Sequence, residues 1–285
     1  MAKMYEISST AKSGFIIKVS KLLAMIRHPL SRKMRRKFSE KMEWRKREFD
    51  NSCKLTQETV PVFIISFNRL SYVKQIIEWL EKYNFKNINI IDNNSSFTPL
   101  LEYLKGLKYK VHYMDKNYGH DVLWSSGKFD SIIKKSFYIV SDPDIAENKN
   151  LRPDFIKEFY RLLGEYPNVV KVGFALEKDD LPETETNAIV KKWEKQFWEK
   201  KLDDDLEIYN ASIDTTFALY RPGKLKVNTP LFFKAIRVAG DFTAKHLPWY
   251  ATNDFTEEDY YYHRHSSSRS SSWFKNVEFY REAVK

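Results

Sequence analysis

A single cysteine, Cys53, stands in 285 residues, so no disulfide can form within this chain. No Cys/His cluster has the spacing of a zinc site either, and together these absences fit a reducing compartment such as a cytoplasm. A membrane-spanning apolar run is also missing. Phe15, Ile16, Val19, Leu22, Leu23 and Ile26 recur at helical spacing, but Lys12, Lys18 and Lys21 fall between them and Pro29 ends the stretch. It is too short and too charged to cross a bilayer, which takes about 20 apolar residues. No small-residue cleavage site follows it, so a secretory signal is not expected. What is present is ample apolar and aromatic content, 42% and 15%, which supports a real core and excludes wholesale disorder.

The net charge of +10 is unevenly placed. Residues 1–50 hold fourteen Lys and Arg against five Asp and Glu, a surplus of nine that leaves about one for the other 235 residues. The body is therefore close to neutral, and a basic, helical extension over 1–59 precedes it. A second basic segment, Ser31–Asp50, carries Arg32, Lys33, Arg35, Arg36, Lys37, Arg45, Lys46 and Arg47 beside Phe38, Met42 and Trp44. Three readings stand for residues 12–50: an in-plane helix on an anionic membrane face, an ordinary amphipathic helix packed on the domain, or nonspecific nucleic-acid affinity. The first is favoured, with no specific nucleic-acid partner and with peripheral attachment at the inner face of the cell membrane.

From Val60 onward the pattern alternates strand and helix. Val60–Ile65 is a continuous apolar run, as expected of a strand buried on both faces. A helix follows with Tyr72, Val73, Ile76, Ile77 and Leu80 on one side, then a strand at Asn89–Ile91 and a short helix around Leu100, Leu101 and Leu104. Next come a strand at Lys110–Tyr113, a helix over Val122–Ile133, a strand at Phe137–Val140, and later a strand at Val169–Phe174. Such alternation predicts an α/β protein with a mainly parallel, Rossmann-like sheet and helices on both faces. Ligands of these sheets bind beyond the carboxyl ends of the strands.

Those ends are polar. They read Ser66-Phe67-Asn68-Arg69, Asp92-Asn93-Asn94-Ser95, Asn117-Tyr118-Gly119-His120 and Ser141-Asp142-Pro143-Asp144. Phe67, Asn68 and Arg69 offer an aromatic and two polar groups to a base or sugar, and Asp92 offers a carboxylate to a base N–H or a ribose hydroxyl. Asn117 and Gly119 lie in a loop whose glycine allows close backbone approach. Asp142 and Asp144, separated by a stiff proline, set two hard oxygen ligands at the edge of the sheet, suited to Mn²⁺ or Mg²⁺ and through it to a phosphate. Acidic residues also mark ordinary strand-to-loop turns, so the joint pattern matters more than either acid alone.

These four elements resemble the nucleotide-binding half of bacterial family 2-type glycosyltransferases with the GT-A fold, and the likeness covers most of residues 60–260. It implies a single domain over 60–285, with a nucleotide-binding half at 60–145 and an acceptor-binding half at 146–285. It further implies that Phe67 and Asn68 border the base, that Asp92 bonds base or ribose, that Asp142 approaches ribose or metal, and that Asp144 holds the ion bridging a diphosphate. The expected activity is metal-dependent transfer of a sugar, from a UDP-sugar by preference, to a glycan or lipid-linked acceptor in cell-surface polysaccharide synthesis. His246, in Ala244–Tyr250, resembles a late histidine of such enzymes that completes the metal shell or contacts the diphosphate, and the lone-histidine alternative is a packed or hydrogen-bonded residue.

In the second half, an inverting transfer needs a carboxylate to take the acceptor's proton. Asp214, inside the β-rich run Ala211–Arg221, is the first candidate, with Asp241, Glu257 and Glu258 as rivals. Trp193, Phe197 and Trp198 read equally as an acceptor groove or as core, while Trp249 and Tyr250 offer further stacking surface. Asp203–Asp205 reads as a solvated loop. Tyr260–His265 and the serine run after it read as a flexible loop that could close over a donor, with Arg264 or Arg269 on phosphate, or remain a surface loop. Two other functions remain: a haloacid dehalogenase-like phosphatase with Asp142 as nucleophile, and a non-catalytic protein binding membrane or nucleic acid. A sugar-nucleotide pyrophosphorylase fits less well, since no glycine-rich basic loop follows the first strand.

Overall fold

The structure is a computed structural model that describes residues 55–203, 206–227, 229–251 and 255–266. All of them belong to the second of the two units into which the chain divides, Met1–Asn51 and Ser52–Lys285. The basic segments at 12–50, and with them the expected membrane contact, lie outside the described residues, as do Asp204, Asp205, Arg269 and the serine run after Ser266. Among the described residues no helix is long and apolar enough to cross a membrane.

Strands β1 (Val62–Ser66), β2 (Ile88–Asp92), β3 (Lys110–Tyr113) and β4 (Tyr138–Ser141) pair in parallel in the order 3-2-1-4. Helices α1 (Leu70–Lys82), α2 (Thr98–Lys105) and the short α3 (Val122–Ser125) and α4 (Asp130–Ile133) connect them. The continuous stretch expected over Val122–Ile133 is thus two one-turn helices. Gly127 between them takes a left-handed φ of 71°, which breaks the helical path. Every residue of β1, β2 and β4 is buried, the pattern of strands covered on both faces.

A two-residue strand β5 (Ile145–Ala146) follows the acidic turn, then α5 (Phe155–Glu165), β6 (Lys171–Phe174), α6 (Glu185–Glu194), β7 (Ile208–Asn210), β8 (Ala218–Tyr220), β9 (Ala235–Val238), β10 (Lys245–His246) and α7 (Glu257–His265). The main sheet has eight strands ordered 3-2-1-4-8-6-9-7. Strands β7 and β8 run against the other six, so the sheet is mixed though mostly of one direction. Strands β5 and β10 form a separate antiparallel ribbon. This is an α/β protein with a Rossmann-like central sheet flanked by helices.

Two aromatic layers follow from the period-2 alternation of the strands. On one face Phe63, Tyr138 and Tyr220 pack with Phe129 and with Trp124 of α3, and the Tyr138 and Tyr220 rings stack at 5.2 Å. On the other, Trp79 of α1 and Phe155 and Phe159 of α5 gather around Phe174 and Phe217. The β6–β8 pairing tolerates no side chain at Gly173, where a Cβ would run into the Phe217 carbonyl and Ala218. Gly173→Ala is therefore expected to lower stability by about 2 kcal/mol or more. Urea unfolding read by circular dichroism checks this, and an unchanged midpoint would contradict the packing.

Candidate functional site

The ladder of β4 does not stop at Ser141. Asp142 N–H donates to the Thr215 carbonyl at 2.9 Å, and the Thr215 hydroxyl donates to Asp142 Oδ2 at 2.6 Å. Thr215 sits just before β8, the antiparallel neighbour of β4, so strand pairing itself brings it to the acid. Burial pushes the Asp142 carboxyl well above the ordinary range. The charges of Asp144 and, less strongly, Asp214 push the same way, while the Thr215 hydroxyl opposes them. A carboxylate so placed lacks countercharge.

The small ribbon brings the next group in. Ile145 pairs with His246 across β5 and β10, and the Leu247 N–H donates to the Asp144 carbonyl at 2.9 Å. His246 Nε2 then stands 3.5 Å from Asp144 Oδ2, with its ring 4.6 Å from that of Trp249. Asp144 Oδ1 and His246 Nδ1 are both buried without a hydrogen-bond partner. The indole N–H of Trp79 on α1 donates to the Ile145 carbonyl, tying the ribbon to the body. Of the expected metal set Asp142, Asp144 and His246, the structure thus brings Asp144 and His246 side by side, and Asp142 lies near enough to feel the charge of Asp144. No group of three or more His, Cys, Asp or Glu among the described residues is spaced as a ready-made metal cage. Two acids and a histidine with orphaned atoms still fit an ion whose remaining ligands come from a bound molecule.

Asp214 lies next to Thr215 in an irregular segment before β8, not within a strand as its sequence context suggested, because pairing begins only at Ala218. Its side chain is exposed. Its backbone is held from beneath: the Asp214 carbonyl accepts from Lys171 Nζ and from the Tyr220 hydroxyl, each at 3.3 Å. Arg237 Nε donates to the Ser212 carbonyl at 2.8 Å, and the Arg237 guanidinium is paired in the interior with Glu194 at 2.6 Å. Asp241 is exposed on the turn Gly240–Phe242, whose Gly240 carbonyl accepts from Asn148, so it belongs to another part of this edge.

At the ends of β1 and β2 the asparagines serve the loops. Asn68, at a left-handed φ of 51°, accepts through Oδ1 from the N–H groups of Ser96 and Phe97, and its own N–H donates to Ser95 Oγ. Asn93 donates to Asn117 Oδ1 and to the Gly119 carbonyl and accepts from the Tyr118 N–H, while Asn117 Oδ1 also takes the Gly119 N–H. Asp92 is buried with Oδ1 unpartnered. Desolvation raises its pKa, with Ser95 opposing.

The segment read as a loop that could close over this edge is a helix docked on it. Tyr260–His265, expected as a flexible loop, belongs to helix α7, which a Thr256–Asp259 capping box starts. Asp259 pairs with Arg69, whose guanidinium also lies over the rings of Tyr262 at 4.3 Å and Tyr72 at 5.0 Å. Glu258 accepts from the N–H groups of Leu70 and Ser71 and from the Ser71 hydroxyl, so it caps α1 from 188 residues away. Phe67 meets Tyr262 edge-on at 6.4 Å, and Tyr261 donates to the Ser96 carbonyl. The charge of Asp144 helps to raise the pKa values of both Tyr72 and Tyr262, which places the cover beside the acids. The Thr-Glu-Glu-Asp run was a legible helix start, but its partners on α1 were not.

Trp193, read from sequence as groove or core, is exposed on α6, whereas Phe197 and Trp198 are half-buried. Arg237 lies over the Phe197 ring, and Trp198 packs on Tyr209. Trp249 and Tyr250 are tied to neighbouring chain: the Trp249 carbonyl accepts from Asn187, and the Tyr250 hydroxyl meets Asp180.

Lys171, fully buried on β6, was not anticipated. Burial lowers its pKa to about 7. The unfolded chain keeps that proton to near 10.5, so between these values it binds more protons than the folded one. This group therefore makes stability rise with pH above about 7, by up to roughly 1.4 kcal/mol per unit, and contributes no slope below it. Urea titrations from pH 6 to 9 should show that increment in the native protein and lose it in Lys171→Met. Equal slopes would show that Lys171 stays charged in the interior. Compared with known proteins, the chain matches no protein-family model and no curated protein, so its functional reading rests on the geometry of the site.

Proposed function

We propose that the protein is a metal-dependent glycosyltransferase of the GT-A type, acting on a nucleoside diphosphate sugar. One observation carries this reading. The turn that ends β4 sets Asp144 beside His246 of strand β10, with Asp142 near enough to feel the charge of Asp144, and buried Asp144 Oδ1 and His246 Nδ1 lack hydrogen-bond partners there. A group with two like charges and orphaned atoms is suited to a divalent cation, and the cation to a diphosphate. The strand order 3-2-1-4 puts the end of β1 next to it and that of β2 one strand further, and in this reading Phe67 and Asp92 border the base and ribose.

In this reading Asp142, Asp144 and His246 would hold Mn²⁺ or Mg²⁺, which would supply positive charge against the departing diphosphate. The acceptor hydroxyl attacks the anomeric carbon, the bond from that carbon to the phosphate oxygen breaks, and in an inverting reaction the acceptor's proton passes to a carboxylate. Asp214 suits that role by position. It is exposed, it adjoins the residue that binds Asp142, Lys171 and Tyr220 hold its carbonyl, and Arg237 holds that of Ser212 two residues before. Asp241 fits less well, since its turn is tied to Asn148. A UDP-sugar donor and a glycan or lipid-linked acceptor remain the favoured substrates. A phosphatase with Asp142 as nucleophile is disfavoured because that acid follows the fourth strand of the sheet and does not open the domain.

Thermal-shift measurements against UDP, GDP, dTDP and CMP, each with and without Mn²⁺, test the proposal. A shift for one nucleotide that needs the metal is expected, and Asp144→Ala should abolish it without lowering the melting temperature of the free protein by more than a few degrees. UDP-sugar hydrolysis should fall at least about a hundredfold in the same variant, on the scale of losing one electrostatic stabiliser. Metal-independent binding or undiminished turnover would sink the metal-site assignment.

A further inference from the structure

We infer that the outer face of α6, together with the turn that follows it, is a docking surface for an anionic lipid bilayer. The inference does not depend on the transferase reading. Helix α6 is anchored on its inner side by Asn187, Val190 and Glu194, all buried, the last through its ion pair with Arg237. On the opposite side an ordinary surface helix would carry charge alone. Here Ile189 and Trp193, four residues apart and so on one face, are 51% and 54% exposed.

The chain continues this face past the helix. Phe197 meets Trp193 edge-on at 6.2 Å, and Leu202, beyond the 3-10 turn Lys195–Trp198, is 37% exposed. Lys192, Lys195, Lys200 and Lys201 are exposed around these apolar groups, against Glu185 and Glu199 as the exposed acids of the same stretch. A tryptophan amid lysines, with aliphatic tips beside it, has the chemistry of a headgroup boundary. Indole settles at that level, apolar tips enter the acyl edge, and ammonium groups meet lipid phosphates. A glycan platform is the other reading of an exposed indole. Ile189 and Leu202 argue against it, since sugar rings stack on flat faces and gain little from branched aliphatic tips.

The surface is mechanically joined to the acidic site. Glu194 at the end of α6 holds Arg237, which holds the Ser212 carbonyl two residues before Asp214. A bilayer gripped by α6 therefore lies at a fixed distance from the loop that carries Asp214. This makes a lipid-borne molecule, rather than a freely diffusing one, the natural visitor to that loop.

The experiment uses the full chain with Cys53→Ser and Ile189→Cys, labelled at the new thiol with an environment-sensitive fluorophore. Phosphatidylcholine vesicles with phosphatidylglycerol should shift the emission to the blue, and phosphatidylcholine alone should not. A label at exposed Tyr113→Cys, on edge strand β3, should stay unchanged in both. Adding Lys192→Ala and Lys195→Ala should weaken the partitioning reported at position 189 by about twenty- to thirtyfold, roughly fivefold per lysine. If the protein sediments with vesicles while the label at 189 stays in water, another segment does the binding and the inference fails. It fails equally if no vesicle binding occurs, if position 113 responds as strongly, or if the label answers to soluble oligosaccharide and not to lipid.

Discussion

Two carboxylates one residue apart, set at the end of a buried strand, form the constraint to which the surrounding structure answers. Burial and mutual repulsion both act to protonate Asp142, and the Thr215 hydroxyl only partly offsets them. Nothing among the described contacts neutralises the pair except the imidazole of His246, and that neutralises only when protonated. A fold that needed this turn merely as a turn would have no reason to bring two acids together against such resistance. The proline between them, the β5–β10 ribbon and the Thr215 bond all hold the geometry that makes the repulsion worse. Stored electrostatic strain of this kind is relieved by a bound cation, which is why the acidic turn carries the functional reading.

The cations closest to this edge in the interior do not serve that purpose. Lys171 and Arg237 point into the same face of the sheet, but each is spent on a main-chain carbonyl, Asp214 and Ser212 respectively, while Glu194 balances the guanidinium. They fix the path of a four-residue segment that has no strand ladder of its own. Burying an amine deeply enough to bring its pKa to about 7 is costly, so a loop held in this way is held for its position. The beneficiary is the stretch from Ser212 to Thr215, which presents Asp214 to solvent and Thr215 to Asp142.

How much of this was legible in the sequence depends on the range of the interaction involved. Strands β1 to β4 and helix α1 were readable because their apolar patterns are local, and the acidic turn was readable because a strand leads directly into it. The meeting of Asp144 with His246 spans about a hundred residues and depends on a ribbon of two-residue strands, too short to leave a periodic signal. Loop ties such as Asn68 to Ser96 and Asn117 to Asn93 were not legible, because sequence shows a polar side chain without showing its partner. Val122–Ile133 read as one helix since its apolar residues keep helical spacing, and a single glycine at positive φ divides it. In α7 the capping residues were in plain view, but three consecutive tyrosines before a serine run drew the reading toward a loop. Their stability comes from Phe67, Phe97 and Ser96, all far away in the chain.

That helix also narrows how an anion can be bound at this edge. In many α/β proteins the helix following the first strand offers its N-terminus to phosphate, and a nearby arginine completes the grip. Here Glu258 already accepts from the first N–H groups of α1, and Asp259 already neutralises Arg69. Both places where a diphosphate would seek positive charge on β1 and α1 hold carboxylates of the chain itself. An incoming anion must either displace α7 or find its countercharge elsewhere. The proposed alternative is the place beside Asp144 and His246, where a cation would supply the countercharge that an anion needs. The docked helix and the acidic turn thus make one argument: the chain's own carboxylates fill the ordinary phosphate site, so the proposed metal-mediated binding at the acidic turn has no competitor there.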